Sequence, residues 1–139
     1  MVLFQDDDTI INEIELEKFL KKPWGNPSTP YCLGGLYIYN HGVVRPGNKK
    51  WAKWAVSKEV YNLNFYPPYC SGACYLTSSA YATKIAETAK ITNPNEFPHE
   101  DGIFTGILRL KAGISLPTKV RGPFNGTVCS RTAIINKSM

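Results

Sequence analysis

At 139 residues, 43% hydrophobic and 19% charged, the chain is long enough for one domain with a core and too apolar for a disordered tail. Its net charge of +5 conceals a segregation, because six of the eleven acidic residues precede Lys18, the first basic one; the remainder is a positive field that attracts nucleic acid, anionic membranes or a phosphorylated small molecule. No apolar run approaches the roughly 20 residues of a membrane span, and "MVLFQDDD" has the form of neither a secretory signal nor a transit peptide, so a targeting segment is expected outside this sequence.

"VLF" at 2–4 reads as the end of a short buried strand that opens onto Asp6, Asp7 and Asp8. Three adjacent carboxylates repel and raise one another's pKa values unless something cationic neutralises them. One acid at a helix entry is routine, being favoured by the macrodipole, but three in succession point to a metal ion. All-oxygen ligation suits a hard cation, Mg²⁺ or Mn²⁺, and the spacing of an EF-hand is absent. The carboxyl end of a strand is also where open α/β sheets bind ligands.

Asn12 with Glu15 forms a capping-box pattern, and Leu16, Phe19 and Leu20 give a helical stripe that Pro23 ends. "PWGNPSTP" at 23–30 is a loop, after which "YCLGGLYIY" and "VVRP" read as a strand pair turned at "NHG"; Gly34 and Gly35 point to a backbone that something approaches closely. "NKKWAKWAVSKEVY" is basic and aromatic together. Trp51, Trp54, Tyr66 and Tyr69 beside Lys49, Lys50, Lys53 and Lys58 suit stacking on sugars or bases, or simply core packing under snorkelling lysines.

"FYPPYCSGACYLT" places a Pro-Pro turn before a strand of small residues, and "SSAYATKIAETAK" at 78–90 is a Ser-capped helix. Glu100 and Asp101 then open a last helix with Ile103, Ile107 and Leu110 on one face and Gly113 at its end. By spacing alone this acidic pair is first-turn capping; its functional alternative is a general base. Residues 115–139 are expected to be loosely ordered, with only "TAII" resembling structure. His41 and His99 have no triad or metal-ligand neighbour and receive no catalytic task. The four cysteines lack a zinc rhythm and point to disulfides of open connectivity. "NGT" at Asn125 and "NKS" at Asn136 fit a glycosylating compartment.

Taken in order, "DDD", "KWAVSKEVY", "YPPYCSG" and "EDGIFTGI" resemble the β-1,3-glycosyltransferases of the galactosyltransferase, N-acetylglucosaminyltransferase and Fringe type, from about Val2 to Ile114. The resemblance implies an incomplete α/β fold of the GT-A type, a mixed central sheet flanked by helices, with residues 1–114 as the C-terminal part of a catalytic domain. It implies that the aspartates hold Mn²⁺ (or Mg²⁺) against the diphosphate of a UDP-sugar, Asp8 as the direct ligand and Asp6 or Asp7 nearer the ribose or a water. Asp101 would be the base, with Glu100 its neighbour or substitute. Tyr69, Ser71, Gly72 and Ala73 would line the sugar site, Trp54 the acceptor side, and Cys70 would form a structural disulfide, with Cys129 as its candidate partner.

The sequence departs from the family pattern at several positions. Ala73 and Cys74 stand where many relatives carry glycines, "EDGIFTG" is one residue longer than the "EDVYVG" of vertebrate members, and no histidine follows His99 to complete a metal site. The membrane anchor, stem and further nucleotide-binding half typical of members are absent from this sequence. The expectation is an inverting hexosyltransferase that moves galactose or N-acetylglucosamine to a glycan hydroxyl on protein or lipid, on the luminal side of the Golgi membrane, binding no nucleic acid and meeting the membrane only through a segment not included here. The alternatives are a module that binds glycan or nucleotide without turnover and a basic nucleic-acid binder, for which no recognised motif speaks.

Overall fold

A computed structural model of the chain describes residues 1–23, 26, 28–34, 37–92, 97–116 and 128–131. The sequons at Asn125 and Asn136, Gly35 and the "TAII" segment lie outside the described residues. The expected opening strand is present as β1 (Val2–Gln5), though its residues are half-buried or exposed rather than buried because it forms an edge of its sheet, and a turn and β2 (Thr9–Ile11) follow. Helix α1 (Glu13–Leu20) begins as its capping pattern predicts, with the Asn12 side chain accepting the Glu15 N–H, a contact of the kind that contributes about 1 kcal/mol. The short strands β3 (Cys32–Gly34), β4 (Tyr37–Ile38), β5 (Tyr69–Cys70) and β6 (Cys74–Thr77) follow, and then α2 (Ser79–Lys90), capped by Ser78.

Among the described residues every strand pairing is antiparallel. β6 lies between β1 and β3, β2 pairs with β7 (Cys129–Arg131), and β4 pairs with β5. Helices and small sheets together give the α/β character expected, distributed over three sheets rather than one. The "VVRP" segment does not turn back on β4 as expected. Its backbone bonds instead with residues far along the chain, Val43 N–H donating to the Asn64 carbonyl and Val44 accepting from Val56 N–H, because β4 is taken by β5.

β6 organises the core. Its period-2 alternation sends Cys74 and Leu76 into a cluster with Phe19, Leu33, Val128 and Cys129, and Tyr75 into a larger one with Tyr66, Tyr69, Tyr81, Ile85, Ile103, Ile107 and Leu108. A strand buried on both faces needs no hydrophobic alternation, and "CYLT", buried at all four positions, shows none. The loose order expected after residue 115 does not hold at residues 128–131. Val128 is buried, β7 pairs with β2, and a disulfide joins Cys129 to Cys74 on β6. The cysteine paired with Cys129 is therefore Cys74, not Cys70, because β6 faces that cluster with Cys74 while Cys70 lies in the other.

The last helix also departs from expectation. Residues Gly102–Leu108 form a π-helix, continued by α3 (Arg109–Lys111) and ended at Gly113, whose φ of 67° is the left-handed conformation that glycine adopts without strain. A π-turn carries more residues per turn than an α-turn, so the 3.6-residue period does not apply along this segment. It also rotates everything beyond it, so Ile103 and Ile107 stay buried while Leu110, assigned to the same face by α periodicity, is 60% exposed. Arg109 takes the inward position, 4% exposed, where its guanidinium donates to the carbonyls of Thr105, Ile114 and Pro68.

Candidate active site

A cavity of about 640 Å³ opens on one side of the molecule, lined by Asp6, His41, Val44, Trp51, Trp54, Ser71, Gly72, Pro98, His99, Glu100 and Asp101. Its two acidic contributions come from distant parts of the chain. Asp6 follows β1 directly, and its N–H donates to the Ala73 carbonyl at 3.3 Å. The buried Thr9 hydroxyl donates to that same carbonyl at 2.9 Å, so both ends of the aspartate turn are tied to the residue before β6. Asp7 and Asp8 stand on the exposed outer part of the turn.

The opposite pair is held tightly. The Asp101 carboxylate accepts the Gly72 N–H at 2.9 Å and its own helix's Gly102 N–H at 2.7 Å, one on each oxygen. Thr105 locks the backbone beneath it. Its hydroxyl donates to the Asp101 carbonyl at 2.7 Å while accepting the Cys70 N–H at 2.8 Å, fastening the π-helix to β5. Gly72 lets the two approach closely, since a Cβ there would stand 3.3 Å from the Asp101 carboxylate and press it aside. Glu100 accepts a hydrogen bond from the buried Tyr75 hydroxyl, and its carboxyl is pushed above the usual range by burial, with Asp101 and Asp6 adding like charge.

The remaining wall is aromatic. Trp54 ends a short 3₁₀ turn (Ala52–Trp54) and stacks on His99 with ring centroids 4.7 Å apart, while the His99 Nε2–H donates to the Trp54 carbonyl at 3.2 Å. Burial pushes the His99 imidazole below its ordinary pKa, so the ring is neutral. His41 Nδ1 pairs with the Tyr69 hydroxyl. Lys53 lies over Trp54 and Lys50 over the exposed Trp51, giving the rim a cationic and aromatic surface.

Of the residues singled out in the sequence, the cavity gathers Asp6, Trp54, Ser71, Gly72, Glu100 and Asp101. Asp7 and Asp8 are on the adjoining turn, Tyr69 is buried behind His41, and Ala73 holds the aspartate turn through its carbonyl rather than lining the cavity. The two histidines given no task prove to be part of the wall. Nothing in their neighbours along the chain could signal this, because their partners are 28 and 45 residues away.

The galactosyltransferase family model matches residues 1–119. The chain belongs to the galactosyltransferase family. Its sequence is 31% identical over 113 residues to beta-1,3-galactosyltransferase 1 of mouse and of human, an alignment covering 81% of this chain and 32% of the relative. Against human beta-1,3-galactosyltransferase 5 it is 29% identical over 134 residues, 92% of this chain and 40% of the relative. The chain thus spans about a third of the length of these curated relatives. Among the described residues no helix is long and apolar enough to cross a membrane.

Proposed function

We propose that this chain carries the catalytic corner of an inverting hexosyltransferase, which moves galactose or N-acetylglucosamine from a UDP-sugar to a glycan hydroxyl in a β-1,3 linkage. The observation that carries the reading is Asp101, oriented by two backbone amides on the wall of a cavity that Asp6 also lines. Family membership supplies the reaction class.

Hard oxygen donors of the aspartate turn fit a divalent cation. An ion of the Mg²⁺ type is commonly held by one or two carboxylates and completed by substrate phosphates. Asp6 would hold Mn²⁺ or Mg²⁺ from the cavity side and Asp8 or Asp7 from the turn. When bound, the cation neutralises charge on the departing diphosphate.

The chain's own residues carry the other half of the chemistry. Each Asp101 oxygen spends one lone pair on an amide and keeps another for the acceptor hydroxyl, whose proton it takes as that oxygen bonds to the anomeric carbon. The sugar–phosphate bond breaks on the far side, so the configuration inverts. Trp54 and His99, stacked on one another in the cavity wall, give the acceptor side an aromatic lining for a sugar ring. We infer a site of action on the luminal side of the Golgi membrane, a reading that the family resemblance supports.

The test uses the longest natural chain carrying this sequence. UDP-galactose and UDP-N-acetylglucosamine are titrated with and without Mn²⁺, and affinity, UDP release and glycan product are read together. Manganese-dependent transfer is expected; metal-assisted UDP binding with no turnover would leave a binding module instead, and no UDP binding at all would end the reading.

A further inference from the structure

The cavity's residues are absorbed by the proposed reaction, but a second cluster of reactive side chains is not. Cys32 on β3 and Cys70 on β5 are both 1% exposed, and their Sγ atoms lie 3.1 Å apart. Cysteines in cores often serve as small hydrophobes, and that reading needs no contact between them. Here the sulfurs face each other across two strands not paired with one another, β3 bonding to β6 and β5 to β4. Gly34 keeps the space open, because a Cβ at that position would stand 2.8 Å from the Cys70 sulfur.

We propose that Cys32 and Cys70 are joined in a second disulfide of the mature protein, beside Cys74–Cys129. Its loop, 38 residues along the chain, carries His41, Trp51 and Trp54 to the cavity rim. The Cys74–Cys129 bond is the independent argument. A chain with one disulfide matures in an oxidising compartment, and an adjacent dithiol there meets the same redox poise. The bond forms by exchange with a small-molecule or enzyme disulfide while the strands are still open. The Cys70 thiolate attacks one sulfur of that disulfide and expels a thiolate; Cys32 then loses its proton and attacks the Cys70 sulfur, expelling the second. Two thiols are oxidised to one cystine and one disulfide is reduced to two thiols.

The link would fix β5 two residues before Gly72, whose amide orients Asp101. Its existence does not depend on the reaction proposed above. The chain is secreted from a eukaryotic host, or refolded in a mixture of reduced and oxidised glutathione, then denatured with N-ethylmaleimide and weighed intact. No label and the mass deficit of two disulfides are expected; label on Cys32 and Cys70 would overturn the proposal. Connectivity is read in the single variant Cys32→Ser, where label is expected on Cys70 alone and an unfolding midpoint lower by about 10 °C. An unlabelled Cys70 in that variant would mean a different partner and would equally overturn it. Should Cys32→Ser fail to fold, the double variant Cys74→Ser/Cys129→Ser decides: an unlabelled Cys32 and Cys70 pair supports the link, and two labels refute it.

Discussion

The two acidic corners of the cavity are built in opposite ways. The aspartate turn is tied down through the Ala73 carbonyl, which accepts the Asp6 N–H and the Thr9 hydroxyl, and Asp7 and Asp8 stand on its exposed outer part. The Glu100 and Asp101 corner is held by its side chains, through the Gly72 and Gly102 amides and the Tyr75 hydroxyl. Carboxylates on an exposed turn suit a cation that arrives with its own hydration and substrate. Carboxylates already bonded to fixed donors suit a group that must stand in one place when a proton moves, because no reorganisation is then required during the reaction.

The most severe way to break this comparison is Asp101→Asn. The amide retains an acceptor oxygen for a backbone N–H but cannot take a proton, so kcat for transfer should fall by about 10³-fold or more while UDP affinity changes little. A parallel loss of UDP affinity would show that Asp101 serves binding rather than proton transfer. Asp6→Ala strikes the other corner. UDP affinity measured with Mn²⁺ should drop by about 10- to 100-fold and affinity measured in a chelator should not move. An equal loss under both conditions would remove the cation from the account.

Gly72→Ala tests orientation itself. The new Cβ, 3.3 Å from the Asp101 carboxylate, displaces the side chain by a few tenths of an ångström without removing any chemical group. A fall in kcat of about tenfold is expected with the unfolding midpoint nearly unchanged, read by steady-state kinetics beside thermal melts. Unchanged kcat would mean that the Gly72 amide has no part in setting Asp101.

How much of this was legible in the sequence follows the range of the forces involved. The caps at Asn12 and Ser78 and the stop at Gly113 are local backbone chemistry, and all three stand where the sequence puts them. The meeting of "DDD" with "ED" was legible only through family resemblance, since the two are brought together by β6 and a π-helix that no periodicity encodes. The π-helix over Gly102–Leu108 explains why Leu110 faces water and Arg109 the core, a reversal invisible to a rule that assumes 3.6 residues per turn. The Cys74–Cys129 pairing depends on which face of β6 each cysteine occupies, and that needs the register. His41 and His99 were passed over because their partners, Tyr69 and the Trp54 carbonyl, are tertiary.

The finest probe of the difference between the corners is the pH dependence of Glu100→Gln. Burial and the charges of Asp101 and Asp6 raise the Glu100 pKa in the folded protein, outweighing the opposing bond from Tyr75. The folded state therefore holds this proton more firmly than the unfolded chain does. Below the unfolded carboxyl's ordinary pKa both states are protonated and Glu100 costs nothing; as pH rises through the higher folded value, ionisation in the folded state becomes a penalty. Glutamine mimics the protonated form and still accepts from Tyr75, so it should raise the melting midpoint near neutral pH by about 1–2 °C and by nothing in acid, the effect being small because much of Glu100 remains in solvent. Melts of the two proteins across that range decide the matter. A flat difference would mean that its surroundings do not disfavour the ionised Glu100 carboxyl, and the contrast between a corner fixed through its side chains and one tied through the Ala73 carbonyl would fail at this residue.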